Sequence, residues 1–143
     1  MKLTHSIITA LALAGVVAIT SCASQGPLLL VASQDIPAAE GTVKVTATDD
    51  GNSQIQLDVK HLAIPERVNP GATVYVVWVS GPAFGDEQRN MGALTVDDNL
   101  NGSLTTLTPL KAFNLSVTAE PSQASTAPTG RVLLSTSYQI GRA

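Results

Sequence analysis

The sequence predicts an all-β chain, an antiparallel immunoglobulin-like β-sandwich of about seven or eight strands that follows an N-terminal signal segment. Three observations predict it. Beyond residue 27, apolar residues recur at every second position, the period of a strand with one dry face. Clusters of Asp, Asn, Gly and Pro separate these runs at regular spacing. No stretch beyond the signal keeps a helical period.

Residues 28–32 read as the first strand. Val43, Val45 and Ala47 alternate with Lys44, Thr46 and Thr48, and Asp49-Asp50-Gly51-Asn52 supplies turn chemistry. Ile55, Leu57 and Val59 then alternate with Gln56, Asp58 and Lys60, which makes a hairpin. Two prolines and a glycine make residues 64–71 a loop. Residues 73–79, β-branched or aromatic throughout, are expected in mid-sheet with both faces buried. Ser80-Gly81-Pro82 ends that strand, and residues 83–90 are expected to form a polar loop displaying Phe84. Residues 91–96 and 103–107 flank a turn over 97–102 as a second hairpin. Phe113, Leu115 and Val117 alternate with Asn114, Ser116 and Thr118; a loop over 121–130 precedes a last strand over 132–139.

The N-terminus carries its own chemistry. Lys2 supplies the charge of a short head, and residues 7–19 form an apolar run of signal-peptide type, too short to span a bilayer, which takes roughly 20 apolar residues. Ile19-Thr20-Ser21-Cys22 resembles the lipobox of bacterial lipoproteins, in which the cysteine is acylated and becomes the first residue of the mature chain. Ordinary cleavage after Ala23, with small residues at Ser21 and Ala23, is the competing reading. Cys22 is the only cysteine, and a thioether removes the liability of a free thiol in an oxidising compartment. The expected organisation is therefore a signal peptide over 1–21, a lipidated cysteine and tether over 22–27, and the sandwich over 28–143. Ala23 after the cysteine, by resemblance to Gram-negative lipoprotein sorting, favours the outer membrane over release as a secreted domain.

Composition narrows the function classes. Loss of Lys2 with the signal leaves seven of the eight basic side chains against all eleven acidic ones, a poor balance for binding a phosphate backbone, so no nucleic-acid partner is expected. One Trp, two Tyr and two Phe offer few stacking platforms. His61 is the only histidine beyond the signal, and no Gly-x-Ser-x-Gly elbow accompanies it, so no catalytic set and no cofactor is expected. Asp86 and Glu87 are adjacent, whereas paired glycosidase carboxylates face each other across a cleft.

Two sets of residues remain as candidate sites. Asp97-Asp98-Asn99-Leu100-Asn101-Gly102 reproduces the first half of a calcium loop, with oxygen donors Asp97, Asn99 and Asn101 at alternate positions. Position twelve, however, is Thr108, and these are also ordinary hairpin residues. Tyr75 and Trp78 lie three apart and so point to opposite faces of a strand: one belongs to the core, and the other covers a second sheet or joins a binding surface. Trp78 and Phe84 are on that ground the candidate interaction surface.

Tyr75-x-x-Trp78, Gly92-Ala93-Leu94, Phe113-x-Leu115-x-Val117-Thr118-x-Glu120-Pro121 and Pro128-Thr129-Gly130 together resemble the extracytoplasmic C-terminal domain of anti-sigma-K factors. The match covers residues 73–134, roughly half of the mature chain. Members of that family carry a cytoplasmic zinc-binding helical domain and a transmembrane helix, neither of which is expected in this chain. The resemblance thus implies a β-sandwich and an extracytoplasmic setting, without implying inhibition of a sigma factor. The expected function is a non-enzymatic, lipid-anchored envelope protein whose partners are the membrane, through Cys22, and another envelope protein; a ligand- or calcium-sensing domain is the alternative.

Overall fold

The computed structural model describes residues 26–140. The signal, Cys22 and the last three residues lie outside the described residues. Ten strands and one helical turn follow in order: β1 (Leu28–Leu29), β2 (Val31–Ala32), β3 (Glu40–Ala47), β4 (Ser53–Lys60), α1 (Pro65–Val68), β5 (Val74–Gly81), β6 (Gly85–Ala93), β7 (Thr95–Val96), β8 (Gly102–Thr108), β9 (Ala112–Glu120) and β10 (Leu134–Gln139). They form two antiparallel sheets of five strands, ordered β1-β3-β4-β8-β7 and β2-β10-β9-β5-β6. With β1 and β2 set aside, these are the A-B-E-D and G-F-C-C′ orders of an immunoglobulin-type sandwich.

The strand count exceeds the expected seven or eight because two expected strands each divide between the sheets. The run over 28–32 breaks at Leu30 into β1 of the first sheet and β2 of the second. The run over 91–96 likewise breaks at Leu94, passing from β6 to β7. Both leucines are buried, so each crossing places an apolar side chain between the sheets. Room for the first comes from Gly41 on β3, where a Cβ would stand 2.3 Å from Leu30 Cδ1.

The 83–90 loop is corrected to strand. Residues 85–93 form β6, the edge of the second sheet, whose first five residues are exposed. An edge strand lying in water needs no apolar alternation, and charge on it discourages pairing with other chains. The apolar core lies between the sheets. Val43, Ile55, Leu57 and Val59 from the first meet Tyr75, Val77, Val79, Leu115, Val117 and Leu134 from the second.

Candidate functional site

β5 is central in the second sheet, between β9 and β6, and its side chains alternate between two dry faces. Tyr75, Val77 and Val79 enter the intersheet core, and Val76 and Trp78 point the other way. Trp78 is nonetheless 0% exposed. Its placement on an open interaction surface is therefore corrected.

The cover comes from residues 121–131, a strap between β9 and β10. Thr73, just before β5, donates through Oγ1 to the Pro121 carbonyl at 2.9 Å, and the other tethers lie on the strands that flank β5. On β6, Asn90, opposite Trp78 in the ladder, donates through Nδ2 to the carbonyls of Gln123 (2.8 Å) and Ser125 (2.9 Å). On β9, the buried carboxylate of Glu120 accepts from Thr129 N (2.9 Å), Thr129 Oγ1 (2.5 Å) and Gly130 N (3.2 Å). A segment held on both neighbours has to pass over the strand between them. Gly130 permits the close approach, since a Cβ there would lie 2.7 Å from the Ala119 carbonyl oxygen.

A polar relay joins the tryptophan to this tether. Trp78 Nε1 donates to Thr118 Oγ1 at 2.8 Å, and that hydroxyl donates onward to Glu120 Oε1 at 2.5 Å. An indole N–H can only donate, which leaves the threonine proton for the carboxylate and fixes the direction of the relay. Burial raises the pKa of Glu120, but hydrogen bonds from Thr118, Thr129 and Gly130 outweigh it and hold the carboxyl below the ordinary glutamate value. Four donors and no cation satisfy it, so the buried charge is supported by hydrogen bonds alone. Between β6 and the strap runs an open groove of about 680 Å³, lined by Asp86, Glu87, Arg89, Asn90, Ser125 and Pro128 among others.

Of the other sequence candidates, only Asp86 and Glu87 reach this groove. Phe84, in the β5–β6 turn, is half-buried against the core, and the Arg89 guanidinium sits 3.8 Å from its ring centroid, within cation–π range. Asp86 and Glu87 are consecutive on β6 and point to opposite sides, as strand neighbours must. His61 is exposed just past β4, with a positive φ of 57° that turns the chain.

Asp97 begins the β7–β8 hairpin turn. Its Oδ1 accepts from the backbone N–H groups of Asn99 and Asn101, both at 2.9 Å, and these bonds lower its pKa. Leu100 adopts a φ of 61° to close the turn. The Asn101 amide also reaches Asp97 Oδ2 at 3.4 Å, so two of the three proposed calcium donors are joined to each other. Among the described residues, no three His, Cys, Asp or Glu side chains gather as a metal cluster would.

Sequence reasoning missed the strap and Glu120. The signal was available in the motifs that carry the family resemblance, because Trp78, Thr118, Glu120, Thr129 and Gly130 are all among them and all meet in this one network. No family model matches the chain, and no curated protein matches it.

Proposed function

We propose that this chain is a non-enzymatic, lipid-anchored protein of the bacterial cell envelope, acylated at Cys22, whose anti-sigma-K-like sandwich is a protein-interaction module. The observation that carries the reading is the sequence Ile19-Thr20-Ser21-Cys22 at the end of an apolar run, with the first strand beginning only six residues later at Leu28. Six extended residues reach about 20 Å, so the tether holds the sandwich against the bilayer surface. Two or more acyl chains make such attachment stable.

Strand direction then sets which end faces the lipid. β1 runs antiparallel to β3 with Leu28 opposite Val43, so the preceding chain heads toward the turn over 48–52. That end also carries Phe84 and Lys111, whose Nζ donates to the Gly51 carbonyl. The opposite end presents the loops over 33–39 and 61–73, the Asp97 turn and the strap, and these are the partner-facing surfaces in this proposal. Calcium sensing is the weaker reading, because Asp97 already spends its carboxylate on its own turn.

Intact mass of the protein purified from its host's membranes, beside a Cys22→Ser control, tests the anchor. A chain starting at Cys22 with added acyl mass supports the proposal. An unmodified chain starting at Ser24 overturns it in favour of a freely diffusing domain.

A further inference from the structure

We propose that the strap over residues 121–131 is an acid-released cover, which opens when Glu120 is protonated and uncovers Trp78 while the sandwich stays folded. Glu120 is the one buried carboxylate among the described residues. Every neighbour of its oxygens is a donor: the Thr118 hydroxyl, the Thr129 amide and hydroxyl, and the Gly130 amide. A proton placed on it adds a donor to a site that already holds four, and it removes the charge that made those bonds strong. Thr118 can accept from the protonated acid only by turning its own proton away from Glu120, and its other lone pair already takes the Trp78 indole, so the reversal leaves that buried proton without its acceptor.

The strap has little else to hold it. Its sequence, Pro121-Ser-Gln-Ala-Ser-Thr-Ala-Pro-Thr-Gly-Arg131, contains no apolar side chain larger than proline, and most of it is exposed. The remaining tethers, Asn90 to the Gln123 and Ser125 carbonyls and Thr73 Oγ1 to the Pro121 carbonyl (2.9 Å), are neutral, and the second holds only the first residue of the strap. The intersheet core, by contrast, contains no carboxylate, so acid acts on the cover before it acts on the fold.

The charged groups on the elements packed around Glu120 are Asp86, Glu87 and Arg89 on β6, Glu66 and Arg67 on α1, and Arg131 on the strap. All are exposed, and β5 contributes only Val74, Val76, Trp78 and Ser80 on this side. A carboxyl held below its ordinary value in the folded chain stabilises the closed form fully above that value. The contribution is lost as pH falls through the folded value. Release therefore belongs to the acid range, below the ordinary glutamate value.

Trp78 is the only tryptophan, so its fluorescence reports the cover directly. The test follows emission and acrylamide quenching of the full chain from neutral pH down to about pH 3, beside far-UV circular dichroism. The expected result is a red shift and increased quenching at a pH where the sheet signal is unchanged. Glu120→Gln is expected to show the red-shifted, quenchable emission already at neutral pH. Should that variant fail to fold, Thr129→Val, which keeps the carboxylate but removes a strap-side donor, is expected to move the transition to higher pH. Emission that stays blue until the sheet signal collapses overturns the proposal, as does a Thr129→Val transition at the wild-type pH.

Discussion

Tyr75 and Trp78 stand three residues apart on β5 and are both fully buried, yet the regions they bury into are built on different principles. Tyr75 lies between two sheets, among valines and leucines supplied by strands with strict alternation. Its hydroxyl donates to the Ala63 carbonyl at 2.6 Å, and burial pushes its pKa up to about 12. Trp78 lies under an irregular strap of small and polar residues, whose tethers to β6 and β9 are hydrogen bonds. The inner face is held by area removed from water and the outer face by donors aimed at one carboxylate. It follows that alkali threatens the first and acid the second.

The sharpest way to break the comparison is to empty the outer face. Trp78→Ala removes the largest buried side chain and is expected to cost about 3–5 kcal/mol in urea unfolding, as a core aromatic does. A loss within about 0.5 kcal/mol, typical of surface sites, would show that the strapped face is not a second core. Gly130→Ala comes next. Its Cβ meets backbone rather than a flexible side chain, and overpacking of that kind costs about 1–3 kcal/mol. The strap, not the sheets, should take the strain, so hydrogen exchange should rise over 121–131 and remain unchanged over β4.

Tyr75→Phe leaves the Ala63 carbonyl without its donor and is expected to cost about 1–2 kcal/mol at neutral pH. The same variant sharpens the pH contrast. A tyrosine whose folded pKa is raised stabilises the fold fully below its unfolded value, and that stability is lost as pH rises from about 10 toward 12. The wild type should lose melting temperature over that window more steeply than Tyr75→Phe; parallel curves would remove Tyr75 as the cause. The smallest effect is expected at the Asp97 turn. Millimolar calcium should leave the melting temperature unmoved, because a site that binds only the native state must raise it. A calcium-dependent rise that Asp97→Asn abolishes would restore the sensing function.

The β3–β4 hairpin was legible in full: the alternation of Val43 to Ala47 and of Ile55 to Val59 maps onto a register in which Val43 faces Leu57 and Val45 faces Ile55. The Asp97 turn was legible as a hairpin for the same local reason. β6 was not, because Asp86 to Asn90 on an exposed edge carry no apolar alternation to read. Nor could alternation show where the chain changes sheet. Leu30 and Leu94 keep the same period on both sides of the crossing, and only the facing strands distinguish one sheet from the other.

By itself the sequence determined the all-β class, the turns, the two-sided burial of β5 and the lipobox-like cysteine, since each rests on residues within about ten of one another. Tertiary structure alone decided what covers the outer side of β5. Trp78 meets Thr118 across 40 residues and Asn90 meets Ser125 across 35. Strand periodicity states that a face is dry, but the polar strap that keeps it dry has no period, and its place follows from where its three donors can reach one buried carboxylate.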